Sequence, residues 1–475
     1  MTERIFFQIP FYAVTQTIQL GLPVLIVPLL IRTLSPENYG IYEVGCVWAL
    51  LANSALSLEI AQGLQRLHPE VSKEERGKLL ASAVGYLVGV YGLFFLTSPL
   101  WARWMGEWAP YVAPFLLFGL ANGLFVVIAV FGRLEASAVR FAVSVGTYAV
   151  IYLGAHAAMF AFVHRGGTLT VQNVLMVQSA ALAAGCLLVG GSVAGQAKRI
   201  LRGRRHALAE MLRYSLPLSL SMIPVYLLGA SEISFVKAGA GVANTGVYSA
   251  AMKIAVVVNL FASATQAAII PGIFGRRAPD ESAVDDPAHP FLRSGLAAFE
   301  LYAVPFLILV LLGGREILTL VIPNLEESLI PVFGVLALAL FVGKLIVFFP
   351  GIEIRKKTSV ILSLQCALLA VGWTGYYFAA KSGTLLYFAY VTLAVGVLRL
   401  VGYAVLSRRY IGSPFGVGDG LPVVVVLGAL FGFVTFSSAE GLRSIGARVA
   451  VGAAMLVLYA LSVRLSGRKL PEIFG

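Results

Sequence analysis

The chain alternates long apolar runs with short clusters of charge, Pro or Gly. A helix needs about 20 apolar residues to span the hydrocarbon layer of a bilayer, and runs of that length follow one another almost end to end. They predict helices over 11–31, 40–65, 79–100, 110–132, 141–163, 171–194, 214–237, 246–273, 291–312, 328–349, 359–379, 385–406, 420–436 and 445–461. The predicted fold is an all-α polytopic membrane protein of about fourteen transmembrane helices. The stretch 198–213 is the most basic interruption and divides the series. The expected organisation is a six-helix bundle over 1–197, an amphipathic linker over 198–213, a second six-helix bundle over 214–407, and two further helices with a tail over 408–475. The apolar run after residues 1–8 is too long for a signal-peptide core and lacks a small-residue cleavage site, so it is expected to stay as the first helix.

Composition supports lipid as the solvent. Of 475 residues, 59% are hydrophobic and 12% charged, and the mean hydropathy is +0.87. The 49 Gly and 21 Pro would unsettle a soluble helical protein, but membrane helices tolerate both. The net charge of +12 comes from basic residues spread over short loops, which is a topology signal and not a nucleic-acid footprint. With an even helix count both termini share one side, and most of the 35 Lys and Arg residues fall on it. Positive loops stay cytoplasmic, so both termini are expected inside. In the linker, Ile200, Leu201, Leu208, Met211 and Leu212 share a helical face with Arg residues between them, as in a helix lying on the membrane surface.

Enzyme and cofactor signatures are missing. Cys46, Cys186 and Cys366 lie far apart, the five His residues lack metal-ligand spacing, and no phosphate-binding loop or Gly-x-Ser-x-Gly elbow occurs. No metal, cofactor or built-in ATPase is expected.

The chemistry then rests on polar groups inside apolar spans, of which each ionisable one costs about 2.5–3.5 kcal/mol even on the lenient insertion scale. Glu59 falls in the second predicted helix near Asn53 and Gln62, either lining a cavity or pairing with Arg66. Glu232 and Lys253, in the seventh and eighth, lie at similar depth and could form a structural pair or a substrate handle in which a diphosphate replaces the carboxylate. Lys344 and Arg399 lie in the inner parts of the tenth and twelfth helices, where snorkelling to headgroups is the simpler use. Gln16, Gln19 and Asn259 suit helix-helix hydrogen bonds as well as sugar hydroxyls. Pro217 and Pro224 should kink or locally break the seventh helix, as a hinge or as static shaping. Gly85 with Gly89, Gly119 with Gly123, and Gly191 with Gly195 mark expected packing seams.

One local pattern occurs twice. Gly40 and Tyr42 at the start of the second helix match Gly246 and Tyr248 at the start of the eighth, the sense of a parallel repeat. Together with IRTLSPENYGIY over 31–42, LEIAQGLQR over 58–66, SEISFVK over 231–237 and TGVYSAAMKI over 245–254, this resembles the bacterial polysaccharide, Wzx-like flippases of the multidrug, oligosaccharidyl-lipid and polysaccharide exporter superfamily. The resemblance implies two six-helix bundles around a V-shaped cavity, two added helices, and export of undecaprenyl-diphosphate-linked oligosaccharide by alternating access. It implies as partners the lipid-linked substrate, membrane lipids, a coupling ion (H+ or Na+) and other polysaccharide-assembly membrane proteins. Where this chain has Glu59 and Glu232 the family often has Asp, which keeps the carboxylate but changes its reach. Two other readings stay open: an ion-coupled multidrug or small-molecule antiporter of the same superfamily, and a membrane-embedded glycan-processing enzyme.

Overall fold

The computed structural model describes residues 15–68 (apart from 16–17, 19–20 and 23–24), 71–135, 138–192, 205–260, 263, 289–322, 326–355, 357–412, 415, 417–436 and 444–465. Among these the secondary structure is helical throughout, with no strand. Helix α1 is described continuously over 25–33. It is followed by α2 (Pro36–Ser57), α3 (Ile60–Leu67), α4 (Lys73–Trp101), a 3-10 segment (Ala102–Tyr111), α5 (Val112–Glu135), α6 (Ala138–His164), α7 (Val171–Ser192) and α8 (Arg205–Ala240). Next come α9 (Val242–Ala255) with a 3-10 turn (Val256–Val258), α10 (His289–Leu312), α11 (Gly314–Val321), and α12 (Leu329–Lys344) with a 3-10 turn (Leu345–Phe348). The series closes with α13 (Gly351–Ile354), α14 (Thr358–Ser382), α15 (Leu385–Ile411), α16 (Val417–Phe436) and α17 (Ile445–Leu465).

Among the described residues, 10 helices are long and apolar enough to cross a membrane, or 11 if the bent pair α2 and α3 is one span. Two shorter apolar helices, Val242–Val258 and Pro422–Thr435, fall where the eighth and thirteenth spans are expected. The first expected span lies largely outside the described residues. The protein is therefore a multi-pass all-α membrane protein, and large apolar side chains such as Leu96, Val150, Leu187 and Leu320 stand exposed, as a lipid solvent allows.

Local signals explain several boundaries. Pro36 opens α2 with no donor to waste, and the Ser35 hydroxyl accepts from the Asn38 amide at 3.2 Å. Gly383, at φ 68°, ends α14 in the left-handed region and lets α15 begin two residues later. Helix α8 runs through both Pro217 and Pro224 as one 36-residue helix, so the local break expected there is not where the chain breaks.

The chain forms two compact units, Met1–Lys237 and Ala238–Gly475. In the first, α5 is central and packs on α7, α4, α2 and α3. Its core gathers Ile60 and Leu64 of α3, Leu79, Ala83 and Leu87 of α4, Val127 and Phe131 of α5, and Met211 of α8. A Cβ at Gly63 would stand 2.8 Å from the Met211 carbonyl oxygen, so only glycine allows α8 to approach α3 this closely. In the second unit α12 packs along α15 and against α9, α14 pairs with α15, and α16 and α17 pack together and onto α10. Of the expected glycine seams, Gly119 and Gly123 meet Tyr91 and Asn53, whereas Gly85, Gly89 and Gly191 meet nothing; Gly195 lies outside the described residues.

Candidate functional site

The first unit holds a break inside a span. The hydrophobic pattern predicts one helix over 40–65, but the structure interrupts it at Leu58–Glu59 and bends it by 48°. Both residues are left-handed, at φ 49° and 51°, and they are the two described non-glycine residues with positive φ. Such a conformation costs on the order of 1–3 kcal/mol per residue and persists only where the surroundings over-determine it.

Those surroundings are hydroxyl groups from neighbouring helices. Ending α2 leaves its last carbonyls without intrahelical donors. Tyr86 of α4 donates to the Leu56 carbonyl at 2.9 Å. The Ser54 carbonyl receives the Leu58 amide at 3.2 Å and Ser219 Oγ of α8 at 3.4 Å. Ser54 Oγ in turn donates to Glu59 Oε1 at 3.2 Å. The half-buried Glu59 carboxylate thus sits at the N-terminus of α3, where the helix dipole favours negative charge. Asn53 lies one turn before the break and accepts from the Tyr91 hydroxyl at 2.7 Å. Tyr226 of α8 is within electrostatic reach of Glu59, and Trp48 Nε1 donates to Ser234 Oγ of α8 at 3.3 Å. Asn53 and Glu59 are therefore brought into one polar region, faced by the stretch of α8 that carries Pro217 and Pro224. Ser215 in that stretch is fully buried, and its hydroxyl makes no hydrogen bond among the described residues.

The second unit holds a pair of cations instead. Lys344 ends α12, where the helix tightens into the 3-10 turn, and Arg399 lies on α15. The two helices touch where a Cβ on Gly396 would be 3.2 Å from the Ala339 carbonyl oxygen and 4.0 Å from the Gly343 amide. Lys344 follows Gly343 and Arg399 is one turn beyond Gly396, so both cations start from the same level of the packed pair. Neither forms an ion pair among the described residues, and the buried Arg399 Nε makes no hydrogen bond there. Tyr376 and Tyr403 are the groups within electrostatic reach of Arg399, and Tyr403 is also within reach of Glu353.

Glu232 is buried in the first unit and Lys253 half-buried in the second. Asn259 follows the 3-10 turn Val256–Val258; it is buried, with Oδ1 lacking a hydrogen bond among the described residues. Gln16 and Gln19 lie outside the described residues. Sequence reasoning passed over Glu43 and Glu300, which are 2% and 1% exposed and more buried than Glu232 at 4%. It also passed over a buried network in which Tyr42 donates to Gln178 Oε1 at 2.9 Å and Gln178 Nε2 meets His156 Nε2 at 3.3 Å. Position within an apolar run was the available signal for Glu43 and Glu300; the hydroxyl groups around the break left none.

The all-helical fold is shared with solved transporters of the MOP superfamily. It is similar to a multidrug resistance MATE family transporter of that superfamily in an inward-facing conformation, at 15% identity and TM-score 0.59, covering 83% of this chain and 95% of the other. The outward-facing conformation of such a transporter matches at 14% identity and TM-score 0.53, covering 86% and 96%. The lipid II flippase MurJ, inward closed, matches at 12% identity and TM-score 0.59 over 97% of this chain and 99% of that one. The chain belongs to the polysaccharide biosynthesis protein family, whose sequence profile matches residues 8–275. No protein of curated function matches it by sequence.

Proposed function

We propose that this protein is a flippase that moves undecaprenyl-diphosphate-linked oligosaccharide across the bacterial cytoplasmic membrane by alternating access, with both termini in the cytoplasm. Membership of the polysaccharide biosynthesis family carries this reading, and the fold shared with a lipid II flippase supports it. The two cations of the second unit fit the substrate's constant part. A diphosphate offers several charged oxygens, and a guanidinium and an ammonium without acidic partners among the described residues can meet them while the lipid tail stays in the bilayer. Energy comes from an ion gradient, H+ or Na+, with Glu59 and Glu232 as the titrating or cation-binding groups. Lys253, Gln16, Asn53 and Asn259 are further substrate contacts, and Pro217 and Pro224 give α8 its hinge. Other polysaccharide-assembly membrane proteins would supply and receive the substrate.

The second reading is an ion-coupled multidrug or small-molecule antiporter, favoured by the fold shared with MATE transporters. Proteoliposomes carrying labelled undecaprenyl-diphosphate oligosaccharide separate the two. The flippase reading expects label to become protected from an outside probe as it is moved. Efflux of cationic drugs with no glycan-lipid movement would overturn it.

A further inference from the structure

The end of α3 away from the break carries an ionic cluster that the reading above does not use. Glu135 Oε1, in the last residue of α5, is 2.6 Å from His68 Nε2 and 2.9 Å from Arg76 Nη1 of α4. The side chains of His68 and Glu135 are each 6% exposed and that of Arg76 is 22% exposed. Phe131 meets the His68 ring edge-on at 5.8 Å, and Arg133 of α5 donates to Gln65 of α3 at 3.3 Å. Two side-chain bridges therefore join the last turn of α3 to the last turn of α5. An eight-residue helix is too short to persist by itself. Glu59 stands at its start, about 14 Å from the cluster at 1.5 Å per residue, so the cluster sets the direction of α3 and with it the position of the carboxylate.

We infer that His68, Glu135 and Arg76 form the positioning anchor of α3, holding the half-helix at the angle that places Glu59 at the break. The inference rests on the reading of Glu59 as the titrating or cation-binding group of transport. Donation to a carboxylate fixes a proton on His68 Nε2, and with a neutral imidazole the cluster is balanced, one carboxylate against one guanidinium. Burial, more than any other cause, holds the His68 pKa below its usual range; Glu135 opposes this and Arg76 adds to it. Among the described side chains, the other charged groups on the packed elements at this end are Arg66 of α3, Glu75 and Lys78 of α4, Arg133 of α5, and Glu210 and Arg213 of α8. A folded pKa below the free value of about 6.5 means that protons favour the released state. The anchor is thus complete above about pH 6.5 and weakens as pH falls below it.

The test places spin labels on α3 and α4 through Gln62→Cys and Val88→Cys, in a background without the three native cysteines, and reads their distance distribution in proteoliposomes alongside transport. Glu135→Ala should broaden the distribution and cut transport tenfold or more. His68→Gln keeps a donor but cannot titrate: it should keep the narrow distribution at every pH and remove the loss of transport below about pH 6.5. An unchanged distribution in Glu135→Ala, or a wild-type acid response in His68→Gln, overturns the anchor. A distribution that responds as expected in a protein that moves no glycan-lipid keeps the anchor and sinks the flippase reading.

Discussion

The polar regions of the two units are built in opposite ways. In the first unit the backbone is strained at Leu58–Glu59, and the polar atoms around the strain largely meet one another: Tyr86 on Leu56, Ser219 on Ser54, Ser54 on Glu59, Tyr91 on Asn53. In the second unit the backbone at Lys344 and Arg399 is regular or tightened helix, while the charges lack counter-charges among the described residues. A satisfied network around a strained carboxylate fixes geometry and suits a small ion or a proton. Uncompensated cations in an apolar span leave attraction unspent, and that suits a large anion. One unit thus spends its polar groups on shape, and the other keeps them for a ligand.

Removing a cation tests the contrast most strongly. Arg399→Ala should lower glycan-lipid translocation in proteoliposomes at least tenfold, and Arg399→Lys should recover only part of it, because an ammonium lacks the planar fork that meets two phosphate oxygens. Wild-type transport by Arg399→Ala would remove the second unit's site. Glu59→Gln keeps the size and the bond to Ser54 but loses the charge; it should reduce transport several-fold and abolish its response to an imposed ion gradient. A retained gradient response would place coupling elsewhere.

Smaller effects probe the architecture of the break. Tyr86→Phe leaves the Leu56 carbonyl unmet and should destabilise the protein by about 1–3 kcal/mol, read as a lower Tm in detergent. Leu58→Gly should be cheaper than Leu51→Gly in the middle of α2 by about 1 kcal/mol or more, because glycine relieves the left-handed strain at 58 and adds only flexibility at 51. Equal costs at the two positions would show that Leu58 carries no strain.

The parts of the molecule differ in how legible they were. The apolar runs announced the helices, although α2 starts at Pro36 and not at the expected 40, and an ionisable residue in an apolar span picked out Glu59, Lys344 and Arg399. The break itself was invisible, since neither Gly nor Pro stands at 57–60 and the interrupted run stays apolar on both sides. Conversely, Pro217 and Pro224 marked a place where a kink or a local break was expected, and α8 continues through both as one helix. Proline removes a donor and adds a clash, but the remaining 3.6-residue ladder and close neighbours hold the helix together.

Sequence by itself determined the solvent of this protein, its succession of helices and the residue types that can act inside them, because each follows from local hydrophobicity and the cost of burying charge. Only the tertiary structure decided where a helix bends, which hydroxyl reaches which carbonyl, and which charges go unanswered. Those depend on side chains meeting across helices, such as Tyr86 on Leu56 over 30 residues of chain and Ser219 on Ser54 over 165. No local pattern encodes a partner at that separation.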